Sequence, residues 1–162
     1  FFMSEYLDKY LATDLTIHLP TGSFLLTDKE RTDALPQPPH EFVNSTWVVI
    51  TAWNPASDAS TSFEQNAKAQ VELRTILEAR YHSVFAARGD DADAATGYGE
   101  DMLAVAIDPD EFDEDLIAEF TDIAEEYGQN AFFSVSGNVV SLHPGIDSNY
   151  IGERVKRVVK IS

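Results

Sequence analysis

The chain has no cysteine. That excludes disulfides, thiolate nucleophiles, zinc–thiolate sites and iron–sulfur clusters together. No apolar run approaches the roughly 18 residues that a membrane-spanning helix needs, so no membrane association is expected. Basic residues are scarce: 11 Lys and Arg stand against 28 Asp and Glu, a formal net charge of −17. Such a surface repels phosphate backbones and anionic lipid, so direct nucleic-acid binding is not expected. There is no glycine-rich phosphate loop, no Gly-x-Ser-x-Gly elbow and no Ser-His-Asp order. The four histidines, His18, His40, His82 and His143, are scattered. The opening residues carry acids and no basic leader pattern, so they do not read as a signal peptide and the expected location is the cytoplasm. Nothing implies a cofactor. The acidic stretch Gly89-Asp90-Asp91-Ala92-Asp93 lacks the spacing, central glycine and terminal glutamate of a calcium loop, so no metal site is expected.

What remains describes a globular protein. Its 162 residues, 44% hydrophobic and 24% charged, suffice for one domain with its own core. The expected organisation is a single domain over 1–162. It comprises an N-terminal extension with a Pro-rich linker over 1–46, a core over 47–143 and a basic tail over 144–162.

Ser4 followed by Tyr6, Leu7, Tyr10 and Leu11 predicts a short first helix. Leu15 to Leu19 and Phe24 to Leu26 predict two strands about the turn Pro20-Thr21-Gly22. The segment Ala34-Leu35-Pro36-Gln37-Pro38-Pro39 breaks regular structure, because proline cannot donate to a helix or a ladder. Trp47 to Trp53 is nearly continuous apolar sequence, the mark of a central strand. Thr61 or Ser62, with Glu64 or Gln65, forms a capping box for a helix running to about Arg80. Strands follow at Ser83–Ala86 and Met102–Ile107, separated by a turn-rich loop from Gly89 to Gly99. Asp108-Pro109-Asp110 opens a second helix, with Gly128 as its C-cap. Ser136-Gly137-Asn138 joins two hairpin strands, 131–135 and 139–142. The tail, Arg154 to Ile161, is expected to add a strand, with a short helix as the alternative; the edge of such a strand would be open to pairing between subunits.

From Trp47 the order is β-α-β-β-α-β. It predicts an α+β fold, a ferredoxin-like split βαβ two-layer sandwich, with an N-terminal helix/strand extension and extra C-terminal strands. Right-handed crossovers would bring three loops to one end of the sheet: 54–62, 89–101 and 128–130.

Thr51-Ala52-Trp53-Asn54-Pro55 with Ser57, Gln65-Asn66, Gly97 to Glu100, and Tyr127-Gly128-Gln129-Asn130-Ala131-Phe132 together resemble a bacterial family without a known role, the Domain of Unknown Function 3293 family. The resemblance covers roughly Trp47 to Leu142. Where that family favours Glu-Asn followed closely by Arg on the first core helix, this chain has Gln65-Asn66 and then Ala67, Lys68 and Ala69. Where the family favours Glu-Ser before the middle strand, it has Glu100-Asp101. Any chemical role of that Glu and Arg would be lost here. The resemblance implies no activity and no cofactor.

The candidate ligand-binding residues are Thr51, Asn54, Ser57, Asn66, Tyr98, Glu100, Gln129 and Asn130. Amides and hydroxyls read a polar ligand through paired donors and acceptors, and the N-terminus of the first core helix suits an anion. The leading expectation is therefore an uncharacterised protein that binds a small polar or anionic, nucleotide-like ligand at the loop end of the sheet. One alternative is an acidic interaction module that masks the basic surface of a protein partner. A third reading is a small enzyme with Glu100 as general acid or base, since that work needs a titratable group with a tuned pKa. Against all three, the same amides serve equally well as braces for turns and buried backbone.

Overall fold

The computed structural model describes residues 2–28, 37–55 and 58–162. Helix α1 (Phe2–Leu11) precedes a hairpin of β1 (Asp14–Leu19) and β2 (Gly22–Thr27). A single helical turn, α2 (His40–Val43), leads into β3 (Thr46–Ile50). Then follow α3 (Phe63–Arg80), β4 (Val84–Asp90), β5 (Gly99–Ile107), α4 (Glu114–Glu126), β6 (Ala131–Ser136), β7 (Val139–Pro144), β8 (Gly152–Val155) and β9 (Arg157–Lys160). Of the proline-rich segment, Ala34, Leu35 and Pro36 lie outside the described residues.

All nine strands join one antiparallel sheet in the order β8-β7-β6-β3-β5-β4-β1-β2-β9. Its two outermost strands are consecutive in sequence, separated only by Lys156. The first half of this run pairs with β7 (Leu142↔Gly152 to Val139↔Val155), the second with β2 (Thr27↔Arg157 to Phe24↔Lys160). A sheet whose two ends are the two halves of one strand must curl round on itself. The result is a nearly closed barrel.

This overturns the two-layer ferredoxin-like sandwich. The succession β3-α3-β4-β5-α4-β6 is present, but the sheet continues past both of its edges. β1 adds to β4 through Asp14↔Asp90 to Ile17↔Ala87, and β7 adds to β6. The N-terminal extension and the tail instead supply four of the nine strands, β1, β2, β8 and β9. The reason is visible in β3, which is buried along its whole length. Trp47 and Val49 face the barrel interior with Leu15, Ile17, Phe24, Leu26 and Val158. Val48 and Ile50 face outward, against Leu73 and Leu77 of α3 and Phe120, Ile123 and Ala124 of α4. Two helices cover only the outer face. The inner face is equally apolar and needs a second cover, which the remaining strands provide by wrapping around it.

Local boundaries shift for identifiable reasons. β3 ends at Ile50, so Thr51 to Trp53 turn out of the sheet. Asp108 caps only a short 3₁₀ turn, Pro109–Glu111, and α4 starts afresh with the Asp113 carboxylate accepting from the Leu116 N–H (2.9 Å). The Ser62–Gln65 capping box is formed in both directions. The tail makes two strands, not one, and both are paired within the chain. Inside, Phe42 of α2 closes one end of the barrel through a run of rings: Phe24–Phe42 at 5.3 Å, Phe42–Trp47 at 6.0 Å and Trp47–Phe85 at 5.9 Å. α1 borders the other end with Leu7, Tyr10 and Leu11.

Lys156 is 0% exposed. Its Nζ donates to the Thr13 carbonyl (2.7 Å) and lies 3.7 Å from the Asp28 carboxylate, which also accepts from Arg154 (2.9 Å). Burial pushes its pKa down, and Asp28 and Asp14 pull it back up. Lys156→Met keeps the side chain's length and removes its donors, leaving the Thr13 carbonyl short of a partner. The expected loss is about 1–3 kcal/mol. Urea unfolding checks it, as a lower midpoint at unchanged slope.

Candidate functional site

The open end of the barrel holds a cavity of about 310 Å³. Strand alternation selects its walls. Glu100 and Met102 of β5 project to the same face as the interior residue Ala104, and Gly89 of β4 to the same face as Ala87. Ala131 and Phe133 come from β6, Lys9 and Tyr10 from α1, and Thr51, Trp53 and Asn54 from the chain leaving β3. A Cβ at Gly89 would stand 2.9 Å from the sulfur of the flexible Met102 side chain, so a larger residue there reaches into the cavity.

Five of the eight candidate residues line this cavity: Thr51, Asn54, Tyr98, Glu100 and Gln129. Asn66 and Asn130 stand behind it, and Ser57 lies outside the described residues. Several of them are committed to holding the chain. The Thr51 hydroxyl donates to the Asp101 carbonyl (2.7 Å) and accepts from the Trp53 N–H (3.0 Å). Gln70, from α3, accepts from the Ala52 N–H (2.8 Å). Gln129 donates to the carbonyls of Trp53 (3.1 Å) and Tyr127 (3.3 Å), clasping the β3 exit to the β6 entry. Gly128 takes φ +66° beside Pro55, where a Cβ would meet the ring at 3.0 Å. Asn130 donates to the Tyr10 hydroxyl (3.4 Å), which ties α1 to the rim.

The remaining residues form a chain of donors. Asn54 sits at φ 45°, a left-handed conformation that asparagine adopts more readily than other side-chain-bearing residues. Asn66, 3% exposed, fixes it twice: its Oδ1 accepts from the Asn54 N–H (2.8 Å) and its Nδ2 donates to Asn54 Oδ1 (2.7 Å). Asn54 Nδ2 then donates to the Tyr98 hydroxyl (3.2 Å), which donates to Glu100 Oε2 (2.7 Å). Burial raises the Glu100 pKa to about 6, against the lowering effect of the Tyr98 hydrogen bond. Burial and the neighbouring Glu100 charge raise Tyr98 to about 12. A carboxyl that titrates near 6 can hold or release a proton close to neutrality.

The other charges at the cavity are compensated. Asp90 accepts from Arg88 (2.9 Å). Asp91 accepts from the Asp93 N–H (2.9 Å) and lies 3.5 Å from Lys9. Its pKa is held down first by that backbone bond, and Lys9 adds to the effect. Among the described residues Glu100 has no cationic partner. The first turn of α3, expected to offer free N–H groups to an anion, does not line the cavity, and its Gln65 N–H is taken by the Ser62 hydroxyl (3.1 Å). No group of three or more metal-ligating side chains occurs among the described residues. His143 lies elsewhere, stacked on Phe132 at 5.0 Å with Nε2 2.7 Å from the Ser134 hydroxyl, and burial lowers its pKa.

A second, more open hollow of about 440 Å³ lies outside the barrel between α3 and β4, beside the exposed Phe63 and Val71. It contains none of the eight candidates. Its cations are already paired, Arg74 with Glu78 and Arg88 with Asp90 and Asp101.

A family model described as protein of unknown function (DUF3293) matches residues 50–132, half of the chain. The chain belongs to this family. The DUF3293 segment carries the donor chain and most of the cavity wall, while Lys9, Tyr10 and Thr13 enter from the N-terminal region outside it. No curated protein and no solved structure matches the chain.

Sequence reasoning missed Tyr10, Trp53, Met102 and Phe133. The one available signal was the alternation Glu100-Met102-Ala104, which puts the glutamate on the same strand face as apolar residues.

Asn66→Ala removes two buried hydrogen bonds from the strained Asn54, and the expected loss is about 1–3 kcal/mol in chemical denaturation. Glu100→Gln acts in the opposite sense. The folded-state pKa lies above the ordinary 4.5, so the unfolded chain ionises first. Stability falls as pH rises through the window from 4.5 to about 6, by at most about 2 kcal/mol. The variant is therefore expected to match the wild type at pH ~4 and to exceed it by up to that amount above pH ~7, in paired urea titrations.

Proposed function

We propose that this DUF3293 protein is a ligand-binding module and that the cavity at the mouth of the barrel is its site. The observation that carries the reading is Glu100, a carboxyl without a cationic partner among the described residues, held by the Tyr98 hydroxyl inside a cavity lined by both aromatic and polar groups. Binding sites commonly combine an apolar wall with a few placed polar groups, and barrel mouths are a frequent location. Thr51, Gln129, Asn66 and Asn130 support the site by fixing its loops. Asn54, Tyr98 and Glu100 present its polar edge. An anionic ligand is disfavoured, because Asp90, Asp91 and Glu100 outnumber Lys9 at the wall.

The acidic interaction module is the second reading. It rests on α4, whose Glu114, Asp115, Glu119, Asp122, Glu125 and Glu126 leave the helix strongly negative, with Glu119 paired to Arg80 (3.0 Å).

A thermal-shift screen against metabolites of all charge types tests the first reading. A ligand at about 100 times its Kd contributes roughly 2.7 kcal/mol, about 5–10 °C for a chain of this length. Gly89→Val fills the cavity floor and is expected to cancel each shift that arises there. A panel with no shift, or shifts that survive in Gly89→Val, would remove the cavity from consideration and turn attention to α4.

A further inference from the structure

Building on the cavity as a ligand site, we infer that its ligand is a small organic cation, a protonated amine with an apolar body, anchored through its ammonium group on Glu100. Four observations converge. The first is charge: Asp90 and Asp91 already face Arg88 and Lys9, so among the described residues the uncompensated charge at the cavity is that of Glu100. The second is geometry. Tyr98 occupies Glu100 Oε2, which leaves the other carboxylate oxygen to accept from a ligand. The third is the wall. Tyr10, Trp53, Tyr98 and Phe133 line the same cavity, and the faces of aromatic rings attract cations. The polarisable sulfur of Met102 lies at the floor. The fourth is solvation. A carboxylate withdrawn from water in an apolar-walled cavity is restored by an opposite charge within contact distance. Size is consistent with a small molecule, since about 310 Å³ is at the lower end of ligand pockets.

The inference predicts a pH signature. The titratable groups that line the cavity with Glu100 are Lys9 and Tyr10 from α1, Asp90 and Asp91 at the end of β4, and Tyr98 before β5, of which Tyr98 bonds Glu100 directly; the β3 and β6 walls contribute no titratable side chain. Of these, Glu100 is the one whose raised pKa, about 6, places its titration near neutrality. An ammonium ion binds the ionised carboxylate, so affinity rises with pH, by about tenfold between pH ~5 and ~7. Binding near pH ~6 releases a fraction of a proton.

The experiment is isothermal titration calorimetry on the full chain with three probes of one shape: phenethylamine, phenethyl alcohol and hydrocinnamate. The expected order is amine at least about tenfold tighter than alcohol, with hydrocinnamate weakest. The gap between amine and alcohol should close in Glu100→Gln, a variant whose fold is checked by its thermal midpoint. Repeating the amine titration in buffers of different ionisation enthalpy reads the released proton. If the alcohol or the carboxylate binds as tightly as the amine, the cation assignment fails while the cavity remains a ligand site. If the amine preference persists in Glu100→Gln, the anchor is not Glu100 and the proposal fails. If none of the three binds, both the cation assignment and the reading of the cavity fall.

Discussion

The seam of the barrel is tied by one buried ammonium group. Residues 152–160 form a single extended run that serves two strands on opposite sides of the seam, and Lys156 is the residue where the run changes partner. A pause in the ladder leaves backbone groups to satisfy. The Lys156 N–H donates to the Asn138 carbonyl (2.7 Å), and its side chain crosses to the Thr13 carbonyl and the Asp28 carboxylate. The seam is thus tied at once to the β6–β7 turn, to the α1–β1 joint and to the end of β2. A methionine could fill the same space, but it could not make these polar bonds. The two edge strands that remain, β8 and β9, are four residues each, which keeps the unpaired backbone at the seam short.

The inner and outer faces of the sheet divide the work. The outer face of β3 and β5 packs under α3 and α4 and supplies rigidity. The inner face supplies volume, closed at one end by Phe42 and left open at the other. Placing a carboxyl on the inner face is costly unless it has a partner or keeps its proton. The Tyr98 hydroxyl partly meets that requirement for Glu100, and the remainder appears as the raised pKa. The cavity therefore owes its chemistry to the barrel: the same glutamate on an open sheet would be fully hydrated and ordinary.

What the sequence made legible follows the range of the interaction. The Ser62–Gln65 capping box, the Ser136-Gly137-Asn138 hairpin and the apolar run at Trp47 are written in neighbouring residues, and each is present. The run at Trp47 even states that both faces of β3 are buried. It does not state what buries the inner one. That information is spread over Leu15, Phe24 and Val158, far apart in sequence and unremarkable singly, and so the sequence reads as a two-layer sandwich where the chain forms a nearly closed barrel. The site divides in the same way. Asn54, Tyr98, Glu100 and Gln129 lie in the DUF3293 segment and share the cavity. Tyr10 and Phe133 meet there only because the barrel closes and α1 lies across its rim.

The hydrogen-bond chain from Asn66 through Asn54 and Tyr98 to Glu100 runs in one sense. Both amides donate forward, and Asn54 Oδ1 and the Asn66 oxygen already accept within the pair. Reversing it would require Tyr98 to donate backward to Asn54, whose amide would have to rotate and break its bond with Asn66. The chain behaves as a rectifier. It steadies an acceptor at position 100, so the outer helix α3, through Asn66, fixes the sense in which Tyr98 addresses the carboxyl.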